Sequence, residues 1–255
     1  MIVLGLDTST TACSAAIIDG ERVLAARSEP MVRGHQERLA SLVQEVMGEA
    51  GLRFDQLERI GCTVGPGSFT GLRVGMAFAK AMGLALGVPA AGVGTLEALA
   101  ATVRANLTST PLTPPKGKAH AEVDTPPKVS GELAVGLGPG FRRDERIRGV
   151  AEEVVYAAAI DARRDQVYLQ AFQGSAVVVP AQAVTAAEAI QVLRRFPALC
   201  LSGSGARMLA EGLPQAVLDL TETPDPVIVA RLTAAAGPEP MQPIYLRAPD
   251  AKLPV

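Results

Sequence analysis

The chain has no tryptophan, and aromatic residues make up only 4% of its 255 positions. Its core must therefore be built from Ala, Val, Leu and Ile, within a hydrophobic share of 48%. An excess of one charge sign is also lacking, since the formal net charge is -2. That excludes a chain that holds nucleic acid mainly by its own electrostatics, which would need a clustered positive surface. Cysteine is scarce. Cys13, Cys62 and Cys200 form no CxxC pair, and their odd number fits reduced thiols better than a disulfide framework. There are only two histidines, His35 and His120. They cannot stand at i and i+4 on one helix face, the spacing of a helical two-histidine metal site. His35 reads as a helix-start or surface residue. No apolar stretch is both long and free of charge. Gly71 to Pro89 comes closest to a membrane span, and Arg73, Lys80 and four glycines interrupt it. The opening MIVLGLDTST is too short an apolar run for a signal peptide and lacks a basic leader, so a cytoplasmic location is expected.

What is present begins with three short apolar runs. Ile2 to Leu6, Ala12 to Ile18 and Arg22 to Arg27 read as strands, with Asp19-Gly20 as a hairpin turn between the last two. Leu39, Leu42, Val43, Val46 and Met47 recur at helical spacing, and Gly51 is placed to end that helix. Ile60 to Val64 reads as a strand, Gly71 to Leu86 as a helix, Val88 to Val93 as a strand and Leu96 to Val103 as a helix. A meander followed by crossover units implies a mixed sheet covered by helices. Composition changes after Arg104: residues 105–149 are rich in Pro and Gly and show no period, as a flexible insertion does. Beyond it, Val154 to Ile160 and Gln166 to Phe172 form a strand pair, and Val177 to Val179 is a further strand. Thr185 with Glu188 has the form of a capping box. Ala198 to Leu201 is a strand running into Gly203-Ser204-Gly205, and Asp225-Pro226 opens a last helix. The expected organisation is an N-terminal lobe over 1–104, the insertion over 105–149, and a smaller α/β lobe over 150–255.

The segment GPGSFTGLRVG, Gly65 to Gly75, lies between a strand and a helix. Glycines there let a backbone approach closely, and a helix N-terminus offers unpaired N–H groups to an anion. The spacing GxGxxxG is one residue longer than the dinucleotide fingerprint, and no Lys follows Gly71 as a Walker A loop requires. On spacing alone the loop is either a phosphate cradle or a tight turn with Pro66 fixing one dihedral, and the turn has the edge. Asp7 has the same two readings: a magnesium ligand with Thr8 and Thr10 donating to phosphate, or a strand-end carboxylate capping the following turn. The turn reading leads there too. Ser68 lacks the second glycine of a nucleophile elbow, because Thr70 occupies that offset. Cys62 falls in a core strand, where an inert thiol is usual.

GPGSFTGLRVG, with Asp7-Thr8-Ser9-Thr10, Val88-Pro89, Gly94-Thr95-Leu96, Asp161-Ala162-Arg163, Val167-Tyr168, Gly203-Ser204-Gly205 and Pro243-Ile244-Tyr245-Leu246-Arg247, closely resembles the TsaB family. These are the non-catalytic partner subunits of the bacterial tRNA threonylcarbamoyladenosine machinery. The resemblance covers nearly the whole chain outside 105–149, and the long Pro-rich insertion departs from it. It implies a two-lobed α/β fold of the actin-like ATPase and sugar-kinase class, with ribonuclease-H-like units, mixed sheets and a smaller second lobe. It implies a heterodimer with the TsaD catalytic subunit, help in recruiting the TsaE ATPase, and tRNA contact only through the complex. No catalytic residue and no metal ligand is expected on this chain, because the metal of TsaD is held by two histidines one helical turn apart. No cofactor is expected to bind tightly, and ATP or ADP is expected only at the interface with the catalytic partner. Asp7, Thr8, Thr10, Gly65, Gly67, Gly203 and Gly205 are then degenerate nucleotide loops.

The helix after the glycine loop leaves few polar faces, so it must be covered on more than one side. The family likeness points to a helical interface with TsaD formed by this helix and the one before it. The expected interface residues are Leu39, Leu42, Val46, Leu72, Gly75, Met76, Ala79, Met82 and Gly83. Two alternatives stay open at this point: a stand-alone ATP-dependent phosphotransferase of the sugar-kinase type, and a homodimer with a binding role of its own.

Overall fold

The computed structural model describes residues 1–108, 153–237 and 241–247. The first sheet is laid down by β1 (Ile2–Asp7), β2 (Ala12–Asp19) and β3 (Arg22–Pro30), then α1 (His35–Ala50), β4 (Arg59–Thr63), α2 (Phe69–Leu86), β5 (Ala90–Val93) and α3 (Thr95–Thr108). Its strand order is β3-β2-β1-β4-β5, with the first three antiparallel and β1, β4 and β5 parallel. The second sheet follows from β6 (Val155–Arg163), β7 (Gln166–Gln173), β8 (Ala176–Thr185), α4 (Ala186–Leu193), β9 (Leu199–Ser202), α5 (Ala206–Ala210), β10 (Ala216–Leu218) and α6 (Pro226–Ala235). Its order, β8-β7-β6-β9-β10, repeats the first strand for strand, with the same pattern of antiparallel and parallel pairs. The chain is therefore two ribonuclease-H-like units in tandem. The second is smaller through its helices: α4 and α5 have 8 and 5 residues, against 16 and 18 in α1 and α2.

Local chemistry explains the element ends. Gly20 takes φ 56° in the first hairpin, and Gly51 and Gly87 take left-handed conformations that close α1 and α2. The Thr185 side chain accepts from Glu188 N, and the Glu188 carboxylate accepts from Thr185 N, which is the expected capping box. Asp225 caps α6 by accepting from Val227 N, with Pro226 at the first helical position.

Two helices cross between the units. Helix α3 leaves the first unit and packs Leu96, Leu99, Ala100 and Val103 onto Tyr156, Ala158, Ile160 and Phe172 of the second sheet. The helix runs to Thr108, four residues past the boundary expected at 104. Helix α6, which lies within 150–255 by sequence, returns to pack on β1, β2 and β4 of the first sheet. Glycine permits this. A Cβ on Gly5 would lie 2.5 Å from Ala230 N, and one on Gly61 would lie 1.7 Å from Thr233 Oγ1. Arg59 secures the helix end by donating to the carbonyls of Thr233, Ala236 and Gly237 at 2.9, 2.8 and 3.2 Å. The expectation for 105–149 falls on residues 109–152, which lie outside the described residues.

Candidate functional site

Strand β1 delivers Asp7 into full burial at the centre of the first sheet. Its carboxylate accepts from Ser9 N at 3.0 Å, Ser9 Oγ at 2.5 Å, Thr63 Oγ1 at 2.6 Å and Thr10 Oγ1 at 3.4 Å. The chain's own groups thus hold Oδ1 with three hydrogen bonds, while Oδ2 has the one long contact to Thr10. Burial pushes the Asp7 pKa up, and the hydrogen bonds from Ser9, Thr63 and Thr10 oppose the rise without cancelling it. This is the turn-capping geometry rather than an open cation ligand.

The glycine loop meets that turn backbone to backbone. Ser68 N donates to Ser9 O at 2.7 Å, and Thr8 Oγ1 donates to Gly71 O at 2.8 Å. A Cβ on Gly67 would sit 2.2 Å from Ser9 O, one on Gly71 1.9 Å from Thr8 O, and one on Gly75 2.4 Å from Thr8 Oγ1. The glycines make room for residues 8 and 9 of this same chain, where a phosphate cradle would make room for a ligand. Gly65, at φ 114° before a cis peptide bond to Pro66, completes the turn. Ile244 N donates to Val64 O at 2.8 Å there, so the C-terminal segment seats directly on the loop.

The second glycine turn repeats the device. Gly203, at φ 92°, would place a Cβ 2.3 Å from Ala159 O, and Gly205 N donates to Ala159 O at 2.9 Å. Ser204 Oγ accepts from Asp161 N at 3.1 Å. Gly203 and Gly205 therefore close on β6 as Gly67 and Gly71 close on the end of β1. The C-terminal segment spans both units, since the Arg247 guanidinium donates to Ala162 O at 3.3 Å.

The residues expected at a partner interface are placed otherwise. Leu39, Leu42, Val46, Leu72, Gly75, Met76, Ala79 and Gly83 are buried in the chain's own interior, and Met82 is partly buried against the same core. The buried ones face the chain's own interior and offer no surface to another protein, which corrects the sequence expectation for them; Met82 alone keeps part of its side chain exposed. The outward face of α2 is a different set: Phe69, Arg73, Ala77, Lys80, Ala81, Leu84 and Ala85 are exposed, Leu84 at 87%. Alanine occupies both faces, so hydropathy alone could not separate them. Arg73, Ala77 and Ala81 at i, i+4 and i+8 were the available signal. At the N-terminal end the Arg73 guanidinium stacks 3.8 Å over the Phe69 ring, whose centroid lies 6.0 Å from that of Tyr245. Phe69 and Tyr245 are each 54% exposed; the sequence reading quotes both within motifs but gives neither a place in a site.

Helix α2 is long and apolar enough by composition to cross a membrane, but one of its faces packs on β4 and β5. All three cysteines are buried, and desolvation drives the Cys62 thiol up and the Cys13 thiol to about 11. His35 opens α1, as expected of a helix start, but is buried rather than at the surface. His120 lies outside the described residues. Among the described residues no group of three His, Cys, Asp or Glu side chains is placed to hold a metal ion.

Comparison with known proteins bears on this arrangement. The family model described as TsaD, tRNA N6-adenosine threonylcarbamoyltransferase, matches residues 28–116. An uncharacterized protein of Mycobacterium tuberculosis is 31% identical over 254 residues, covering 98% of this chain and 93% of that protein. The tRNA threonylcarbamoyladenosine biosynthesis protein TsaB of Escherichia coli is 34% identical over 100 residues, 39% of this chain and 43% of TsaB. The solved structure of YeaZ from Pseudomonas aeruginosa superimposes with a TM-score of 0.65 at 25% identity, covering 96% of this chain and 99% of that one.

Proposed function

The chain belongs to the TsaB-like family, and on that premise we propose that it is a non-catalytic subunit of the machinery that builds threonylcarbamoyladenosine beside the anticodon of tRNA. In this reading it binds a TsaD-type catalytic subunit, supports the active conformation of that subunit and helps to recruit the TsaE ATPase in the cytoplasm. The observation that carries the reading is the pairing of two filled turns with one bare helix. Both glycine turns are occupied by the chain's own backbone, and Asp7 is buried with its Oδ1 held by Ser9 and Thr63. The outward face of α2, by contrast, presents Ala77, Ala81, Leu84 and Ala85 with none of the described residues over them. Small side chains on a helix let a second helix approach closely, and an exposed apolar stripe marks an interaction surface. Any ATP or ADP lies between this chain and the catalytic subunit, and tRNA is reached through the complex.

Reconstitution tests the proposal. The purified catalytic subunit should form a heterodimer with this chain, and tRNA modification should require both. Leu84→Arg should abolish the heterodimer while leaving the thermal midpoint of the isolated chain unchanged. A chain that hydrolyses ATP alone, and loses that activity on Asp7→Ala, would favour the phosphotransferase alternative and overturn the proposal.

A further inference from the structure

Three planar groups stand in a row at the N-terminal end of α2. The Arg73 guanidinium lies 3.8 Å over the Phe69 ring, and the Tyr245 ring follows at 6.0 Å, tilted by 39°. All three residues are exposed, so both ends of the row meet water. Arg73 makes no hydrogen bond and no ion pair among the described residues. By contrast, Arg27, Arg38, Arg53 and Arg231 each meet a carboxylate. The Arg73 fork is thus held flat on a ring with its N–H donors unspent. The two segments that build the row carry no carboxylate. Residues 64–88 hold Arg73 and Lys80, and residues 241–247 hold Arg247, in a chain whose formal net charge is -2.

This combination selects the ligand. A simple anion would use Arg73 and leave both rings bare. An apolar peptide would cover the rings and leave the guanidinium without an acceptor. An unpaired nucleotide brings both halves at once, a flat base for the row and a phosphate one sugar away. A duplex keeps its bases inside, so only a single strand or a loop can use the rings. A negatively charged chain cannot hold RNA by charge alone, and stacking supplies what charge lacks. We propose that Arg73, Phe69 and Tyr245 form a stacking platform for one or two unpaired bases of RNA, with Arg73 on a neighbouring phosphate. The inference rests on the tRNA reading above and adds to it: this chain itself supplies part of the surface that the complex offers to tRNA.

Fluorescence anisotropy of a labelled single-stranded A/U oligonucleotide, titrated with the full chain, tests this, with a duplex of the same bases and heparin as controls. The single strand should bind saturably at physiological salt and more tightly than either control. The chain has three tyrosines and no tryptophan, and Tyr156 is buried. Stacking should therefore also quench a tyrosine emission that Tyr245→Phe removes. Tyr245→Leu should weaken binding about tenfold, the loss of one stacked base, and Tyr245→Phe should keep it. Arg73→Gln should weaken it too and flatten the dependence on salt by about 0.7 in log–log slope, one phosphate on a single strand. All three side chains are exposed, so each variant should melt at the midpoint of the parent chain. Absence of saturable binding, equal affinity for duplex or heparin, or undiminished affinity in both Tyr245→Leu and Arg73→Gln would each overturn the proposal. So would loss of the heterodimer in Tyr245→Leu without any binding of RNA by the parent chain, which would make the row a protein contact. The RNA titration needs no catalytic subunit. A missing heterodimer therefore counts against the reading above, and missing RNA binding counts against this one.

Discussion

The Thr8 hydroxyl donates to the carbonyl of Gly71 at 2.8 Å, and a Cβ added to Gly71 would fall 1.9 Å from the carbonyl of Thr8. Two segments that the sequence allows as a phosphate site, but reads first as turns, are therefore each other's ligands. The contact fixes the start of α2 against the end of β1, and with it the direction in which α2 presents its outer face. Gly71→Ala should cost about 1–3 kcal/mol or more, the range of an overpacked core with no flexible neighbour to give way. A urea midpoint shifted down with an unchanged slope would show it. An unshifted midpoint would mean that the loop and the turn are not in contact.

Asp7 gives the chain a signed pH dependence. Its pKa is raised in the folded state, first by desolvation, so the folded chain binds this proton more tightly than the unfolded one. The sign follows. The contribution is fully favourable below the unfolded value of 3.8 and is lost as pH rises through the higher folded value. Asp7→Asn cannot titrate there. The stability of the parent chain relative to Asp7→Asn should therefore fall as pH rises through that window and then level off, in denaturant melts taken at successive pH values.

Arg59 tests whether the two units depend on the returning helix. Its guanidinium caps the end of α6 through three carbonyls at 3.2 Å or less. Arg59→Met keeps the stem and removes the donors. Charge-assisted hydrogen bonds contribute about 1.5–3 kcal/mol, and the loss should fall near the lower end because solvent reaches part of the group. Amide exchange should quicken first at Thr233 to Ala236. Uniform exchange across the chain would show that the cap is not a local device.

Much of this architecture was legible in sequence, for reasons that also mark where legibility stops. The meander declared itself through apolar runs split by Asp19-Gly20, and the second unit through Thr185 and Glu188. Helix α5 and strand β10, at 5 and 3 residues, are too short to show a period. The glycine spacing told that a backbone comes close, but not that the backbone is that of Thr8 and Ser9. The crossing of α3 and α6 was hidden because a helix that packs on a distant sheet carries the same apolar face as one that packs on its own.

The second hairpin carries strain that substitution should release. Arg163, Arg164 and Asp165 take φ of 62°, 56° and 58°, a left-handed run without glycine. Such a conformation costs an L-residue roughly 1–2 kcal/mol, and Asp tolerates it better than Arg. Arg163→Gly should stabilise the chain by about 0.5–1 kcal/mol after the added flexibility of the unfolded glycine is counted. A raised thermal midpoint checks it, and a lowered one would show that the Arg163 side chain contributes more than its backbone loses.

The two faces of α2 predict opposite outcomes from similar changes. Ala79 is fully buried against the first sheet, and Ala81, two residues on, is exposed. A carboxylate at position 79 would be desolvated with no partner, a cost of several kcal/mol that exceeds much of the stability of a typical domain. Ala79→Glu should therefore yield an unfolded or insoluble chain, and its failure to bind a partner would say nothing about an interface. Ala81→Glu places the same group in water. It should fold with the midpoint of the parent chain and, on the reading proposed above, lose the catalytic subunit in gel filtration. If Ala81→Glu and Leu84→Arg both fold and both retain the heterodimer, the exposed stripe of α2 is not the contact. The Phe69, Arg73 and Tyr245 cluster would then be the next surface to alter.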